Sequence, residues 1–304
     1  MPAKAILMVE PTRFRFNEET AKSNFFQNPE PVSINSRLQE KVMNEFYSLV
    51  DKLQNSGVVV SVKKHISHMD IPDAVFPNNW ISFLPDGTVI IYPMLAENRR
   101  NEKELKMIQE VSAATGYEVK RTIDLSYFEA ENKFLEGTGS IVFDHHKRIA
   151  FASLSPRTHV EVLEVLCSET GYEPFVFEAT DRMNRPVYHT NVMLTITAKC
   201  AVICLESIRN KERRADLHNL FTTDRKAVID ISIDQMEAFA GNMLELENQS
   251  GDSVLVMSET AYQSLDDLQR AALARFHTLL FSGIPLIEKM GGGSARCMLA
   301  EVFI

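Results

Sequence analysis

The sequence predicts a closed α/β body in which one supersecondary unit recurs around an axis. Three observations carry that expectation. A strand–strand–helix–strand order returns at roughly sixty-residue intervals, as in an internal repeat array. Short polar motifs stand at one phase of each unit, just ahead of the first strand of its hairpin. No Pro/Gly/Ser-rich linker interrupts the 304 residues, so one domain over 1–304 is expected rather than two. The repeat lies in element order, not in residue identity.

Ala5-Ile6-Leu7-Met8-Val9 is apolar throughout, as a doubly buried strand requires, and Glu10-Pro11 ends it. Residues 12–31 are polar, without a period, yet carry Phe14, Phe16, Phe25 and Phe26; such a loop either covers a pocket as a lid or packs on the core. Val42, Phe46, Leu49, Val50 and Leu53 have helical spacing, Gly57 stops that helix, and Val58-Val59-Val60-Ser61-Val62 is a strand. After Asp73-Ala74-Val75-Phe76-Pro77-Asn78-Asn79, two apolar runs flank the turn Pro85-Asp86-Gly87 and predict a hairpin over 80–92. A helix is expected over 98–115, opened by Arg99 and Arg100 and stopped by Gly116.

The next unit begins at Phe134-Leu135-Glu136-Gly137-Thr138-Gly139-Ser140. It continues through strands 141–143 and 149–152, a helix over 158–170 and a strand over 173–177. His189-Thr190-Asn191 opens another, with strands 192–196 and 201–205, a helix over 212–221 and a strand over 227–231. The fourth passes from Phe239-Ala240-Gly241-Asn242 through strand 254–257 to a helix over 264–280. Residues 284–287 are expected as a strand before the glycine run, and 298–304 as a strand after it.

A net charge of −9 argues against nucleic-acid backbone or anionic membrane as partners and leaves room for a small cationic or zwitterionic substrate. Four cysteines make no disulfide framework and fit a reducing compartment. Met1-Pro2-Ala3-Lys4 runs straight into a strand without the apolar core of a signal peptide, and no apolar run nears the ~20 residues of a membrane span. A cytoplasmic protein is expected.

Gly291-Gly292-Gly293-Ser294-Ala295-Arg296-Cys297 draws the chemistry together. Consecutive glycines are kept where φ is positive or where a ligand needs close backbone approach. On the residues alone Cys297 is either a nucleophile at a loop–strand junction or a small buried hydrophobe. If the units are radial, Asn78, Glu136, His189, Asn242 and Cys297 converge near one axis. On the residues alone, His189 ahead of an apolar strand reads as a satisfied core histidine.

Asp73-Ala74-Val75-Phe76, Leu135-Glu136-Gly137, Tyr188-His189-Thr190-Asn191 and the glycine-cysteine motif through Met298 together resemble the pentein superfamily of guanidine-modifying enzymes. That superfamily comprises amidinotransferases, arginine deiminases and dimethylarginine dimethylaminohydrolases. His189-Thr190-Asn191 and Asn78-Asn79-Trp80 look most like its citrulline-utilization hydrolase branch. The resemblance implies a five-bladed α/β propeller of pseudo-fivefold symmetry with a central site, no metal and no organic cofactor. It implies Cys297 as nucleophile, His189 as general acid/base and Glu136 as the orienting carboxylate. Arg99 or Arg100, and Arg157, match positions that hold a substrate carboxylate. Phe76, Asn78, Asn79 and Asn191 fall in the substrate-binding set. Relatives acting on arginine-like substrates carry acidic residues at Asn78 and Asn79, and several carry Asp at Asn191.

The chemistry needs a thiolate, because a guanidinium or ureido carbon is a poor electrophile. Asn offers both a donor and an acceptor, whereas a carboxylate rewards a cation. Burying a guanidinium without counter-charge costs several kcal/mol. A neutral, citrulline-like ureido substrate is therefore expected, giving ornithine, ammonia and carbon dioxide. Amidino transfer to an amine and arginine or methylarginine deimination stand as enzymatic alternatives. The same propeller also occurs in a ribosome-binding factor without catalytic residues, which the presence of Cys297, His189 and Glu136 speaks against. A homo-oligomer is left open.

Other candidates have plainer readings. His65 and His68 are expected in a solvated loop, and His145 and His146 in an exposed turn. Cys167, Cys200 and Cys204 are expected in the core, and His159, His218 and His277 on amphipathic helices.

Overall fold

The computed structural model describes residues 2–28, 36–65 and 69–304. Among them, five three-stranded sheets share one plan: a middle strand antiparallel to one neighbour and parallel to the other. The parallel neighbour requires a crossover, and each crossover is helical. β1 (Ala5–Val9) and β2 (Val59–Lys63) are joined through α1 (Ser36–Asn55). β3 (Ile81–Phe83) and β4 (Thr88–Ile91) form a hairpin, and α2 (Glu97–Arg100) and α3 (Lys106–Thr115) cross to β5 (Arg121–Asp124). α4 (Gly137–Ser140) leads into β6 (Ile141–Asp144) and β7 (Ile149–Ser153), and α5 (Val160–Thr170) crosses to β8 (Glu173–Phe177).

β9 (Leu194–Ile196) and β10 (Cys200–Ile203) follow, with α6 (Lys211–Thr223) crossing to β11 (Ala227–Asp230). After α7 (Ile233–Glu237) come β12 (Leu244–Glu247) and β13 (Ser253–Ser258); α8 (Glu259–Ser264) and α9 (Asp267–Ala274) then cross to β14 (Thr278–Ser282). α10 (Pro285–Gly291) returns the chain to β15 (Ala300–Val302), which completes the first sheet with Val302 opposite Ala5.

Burial grades across each sheet. β1, β3, β4 and β10 are buried along their whole length, whereas β5 and β8 are mostly exposed or half-buried. First strands of successive sheets lie side by side: β15 against β3, β6 against β9, β9 against β12, with α4 touching both β3 and β6. Ala3, just before β1, bridges in parallel to Leu246 of β12. The site-bearing turns all enter these first strands, so they gather at one place.

Several elements depart from the sequence expectation. The helix over 98–115 is two pieces, because Arg99 turns inward and pairs with Glu102 where a continuous helix would run on. Gly116 does end it, at φ +81°. Residues 264–280 split as well. α9 begins at a capping box between Asp266 and Gln269 and stops at Ala274, and the apolar run behind it is β14. Residues 284–287 open α10, for which Pro285 at the first helical position is suited, rather than a strand.

His65 is buried, its Nε2 3.0 Å from the Glu102 carbonyl oxygen and its Nδ1 3.2 Å from Glu104 Oε2, so it is not solvated; His68 lies outside the described residues. His145 is half-buried against Phe143 and Phe303 with Nδ1 2.6 Å from the Tyr172 hydroxyl, while His146 is exposed as expected. His277 is buried just ahead of β14 instead of on a helix. His159 caps α5, and His218 lies exposed on α6. Cys167, Cys200 and Cys204 are buried and free.

Candidate active site

Each unit delivers its polar motif on a tight turn. Pro77–Asn79 form a 3-10 turn before β3, Thr190–Val192 another before β9, and Ala295–Met298 a third before β15. Glu136 stands at the N-terminal edge of α4. Gly137 follows at φ +49°, where a Cβ would sit 2.1 Å from the Asn78 carbonyl oxygen, so only glycine lets the two turns touch.

The turns bring Glu136 and His189 into direct contact, with His189 Nε2 2.9 Å from Glu136 Oε2. Arg157 Nη1 donates to the same oxygen at 3.2 Å, and the Leu95 N–H donates to Oε1 at 3.1 Å. Burial alone would raise the Glu136 pKa, but Arg157 and His189 outweigh it and hold the carboxyl well below its usual range. An ionised Glu136 accepts only, so His189 carries its proton on Nε2 and its Nδ1 lone pair is free. Burial pushes the imidazole down to about 4 against the lift from Glu136; it is neutral at physiological pH.

Cys297 Sγ lies 3.3 Å from Asn242 Nδ2 and 3.7 Å from Asn191 Nδ2. The Cys297 N–H donates to the Ser294 carbonyl at 3.0 Å. Burial raises the thiol pKa, opposed by the Ser294 backbone contact, the Asn242 amide and the Arg296 charge.

Cys297 and His189 line one cleft with Asp73, Phe76, Asn79, Arg99, Arg157 and Tyr188. It is narrow, a cavity of about 10 Å³, the space of about one water. Thr20 and Asn24 also line it. The segment before Pro29 thus lies over the site: Asn24 Nδ2 donates to the Gly292 carbonyl at 3.1 Å and Gln27 Nε2 to that of Met290 at 3.0 Å. Phe14 of the same segment is buried in the core, so both sequence expectations for this loop describe part of it. Residues 29–31 lie outside those described.

The three glycines have separate causes. Only Gly292 has positive φ, +62°, and a Cβ there would meet Asn24 and Gln27. A Cβ on Gly291 would come within 2.7 Å of the Phe76 ring, and one on Gly293 within 3.0 Å. They serve close packing under the covering segment.

The binding candidates divide. Asn79 lines the cleft, but its Oδ1 accepts from Arg99 Nη1 at 2.7 Å and its Nδ2 donates to Asn78 Oδ1 at 3.1 Å. Asn78 is fully buried behind it, donating to Thr138 Oγ1 at 3.3 Å. Asn191 touches the sulfur and donates to the Thr138 carbonyl at 3.0 Å. Arg99 faces the cleft with its fork already spent: Nε and Nη2 each donate to Glu102 at 2.9 Å. Arg100 is turned away and donates to the Met94 and Leu95 carbonyls. Arg157 donates to Glu136, to the Thr20 carbonyl at 2.9 Å and to Ser23 Oγ at 2.9 Å.

Two cleft groups had no role in the sequence reading. Asp73 was part of a quoted motif only. It is fully buried, with Oδ2 accepting from Asn17 Nδ2 at 2.7 Å and Oδ1 without a partner among the described residues. The Tyr188 hydroxyl donates to the Gly292 carbonyl at 2.5 Å, and its ring lies under the Arg157 guanidinium at 5.2 Å. A polar segment without a period gives no signal that Thr20 and Asn24 would reach the site. No group of three metal-ligating side chains occurs among the described residues.

The family model for N,N dimethylarginine dimethylhydrolase, eukaryotic, matches residues 10–304. No curated protein matches the chain. Apo ArgZ, an arginine dihydrolase of the ornithine–ammonia cycle in cyanobacteria, aligns with a TM-score of 0.74 at 15% identity, over 98% of this chain and 40% of its own. The ArgZ N-terminal domain, as a substrate-bound Cys-to-Ser variant, aligns at 0.71 with 15% identity and 98% of each chain covered. A His-to-Gly variant of dimethylarginine dimethylaminohydrolase, as its adduct with S-methyl-L-thiocitrulline, aligns at 0.67 with 15% identity over 98% of this chain and 99% of that one. This chain thus spans 40% of full-length ArgZ, and at such identity the likeness is one of fold.

Proposed function

We propose a function for a chain that belongs to the N,N-dimethylarginine dimethylhydrolase family, eukaryotic type, within the pentein superfamily of guanidine-modifying enzymes. It is a cysteine-dependent hydrolase acting on the ureido carbon of a citrulline-like amino acid. The carrying observation is that His189, paired with buried Glu136, lines one cleft with Cys297.

In this reading the Cys297 thiolate attacks the ureido carbon, and the negative charge moves onto the ureido oxygen. The tetrahedral species collapses with loss of ammonia, to which His189 passes the proton its Nδ1 took from the Cys297 thiol, and leaves a thiocarbamate on sulfur. His189 Nδ1 then takes a proton from water, the hydroxide attacks, and the Cys297 thiolate departs from a carbamate, which breaks down to ornithine and carbon dioxide. Ionised Glu136 holds the imidazole in the required tautomer. The substrate carboxylate takes the Arg157 donors now given to Thr20 and Ser23.

Amides at Asn79 and Asn191 support the neutral ureido group over a guanidinium. One observation favours a second reading, hydrolysis of arginine or a methylarginine: the free oxygen of buried Asp73 is an anionic acceptor facing the same cleft. Incubating purified protein with L-citrulline, L-arginine and methylarginines, and following ornithine, citrulline and ammonia, separates the two. Ornithine from citrulline is the expected result; turnover of arginine without citrulline rejects the ureido reading.

We further propose that the five sheets are blades of a propeller forming one catalytic domain. Cysteine usage supports a cytoplasmic setting. Among the described residues no helix is long and apolar enough to cross a membrane.

A further inference from the structure

We infer that Asn242 is a further catalytic residue, whose side-chain N–H holds the Cys297 sulfur as a thiolate. The inference rests on the reading of Cys297 as nucleophile. Asn242 is fully buried, and both ends of its amide are specified by backbone partners. Oδ1 accepts the Arg296 N–H at 3.1 Å, while Nδ2 donates to the Asn191 carbonyl at 3.0 Å. Reversing the amide would set NH₂ against N–H and oxygen against oxygen, so hydrogen-bond logic fixes the orientation. The end nearest the sulfur, at 3.3 Å, is therefore a donor.

The backbone that carries this side chain has little freedom. A Cβ on Gly241 would lie 2.3 Å from the Val192 carbonyl oxygen, so the turn is pressed onto the neighbouring unit. Thr195 Oγ1 donates to the Gly241 carbonyl at 2.7 Å, and the Asn242 N–H donates to that of Phe239 at 2.8 Å. A donor held in place costs no reorganisation when charge appears on the sulfur. Burial makes the bare thiolate costly here, and hydrogen bonds to an ion are the stronger kind. As the S–C bond forms, the charge leaves sulfur and this hydrogen bond weakens. It is regained when the thiolate departs.

Thiolate ultraviolet absorbance against pH, taken as the protein minus its Cys297→Ala counterpart, tests this without any substrate. Asn242→Asp keeps the shape and the Arg296 contact but turns an anionic acceptor toward the sulfur. Asn242→Ala removes the donor and stays neutral, and serves if the Asp variant does not fold. Both variants should titrate at least about one pH unit higher than the parent, a loss of about 10-fold in thiolate at neutral pH. With substrate, kcat should fall by a similar factor or more while KM changes little. Curves for Asn242→Ala and the parent that superimpose overturn the role of Asn242 and leave the proposed function standing. A parent protein with no Cys297-dependent signal overturns both.

Discussion

Acidification from pH 7 to pH 5 puts a number on the environment of His189. The folded imidazole is pushed down to about 4 by burial, whereas in the unfolded chain it titrates near 6.5. Below 6.5 the unfolded chain therefore binds a proton that the folded one refuses. Stability falls as pH drops from about 6.5 toward about 4, with no further loss from this group below that. Between pH 7 and pH 5 the linked loss comes to about 2 kcal/mol. Glu136 contributes little in this window, because the stability it lends is lost mainly below the unfolded carboxyl's value of 4.5. His145 and His277, also pushed down by burial, add to the loss, whereas Glu45 and Glu102, raised by burial to about 7, oppose it, so the His189 share has to be read by difference. His189→Gln isolates that share: the amide can still donate to Glu136 and carries no charge at either pH. Urea unfolding at both pH values should show the parent losing about 2 kcal/mol more than the variant. Equal losses would mean that His189 is not held neutral, and the assignment of its Nδ1 lone pair would fall with it.

Four further outcomes are expected. Cys297→Ala should abolish turnover on every substrate accepted while far-ultraviolet circular dichroism and the melting temperature stay close to the parent's. Arg157→Ala strands buried Glu136 and should cost about 3–5 kcal/mol in chemical denaturation. Arg100→Ala, by contrast, should cost at most about 1 kcal/mol and leave kcat/KM within about 2-fold, since its donors serve backbone carbonyls outside the cleft. Gly291→Ala drives a methyl to within 2.7 Å of the Phe76 ring and should destabilise by about 1–3 kcal/mol.

Much of the architecture was legible because apolar strands and their stops are local. Ala5–Val9, the hairpin around Gly87 and the helix ending at Gly116 depend on neighbours a few residues away. The errors arose where a tertiary partner decides. Residues 278–282 have an apolar content that suits helix or strand, and only pairing with β13 settles it. Arg99 looked available for a ligand because it matches a position that holds a substrate carboxylate in relatives, yet Glu102 three residues on answers it inside the protein. His65 has no local cue for burial; its partners lie in the 102–104 region. The convergence of Glu136, His189, Asn242 and Cys297 followed from repeat phase alone. The covering of the site by Thr20 and Asn24 did not, because nothing in residues 12–31 is periodic.

The pairing of β15 with β1 makes the first sheet the last whose strands can all be in place. Ala5 can acquire its partner Val302 only after everything between them has been synthesised and folded, and closure over so long a loop is slow. Cys297 lies on the turn that enters β15, so on the proposed reading the sulfur takes its place beside Asn242 only as that sheet is completed.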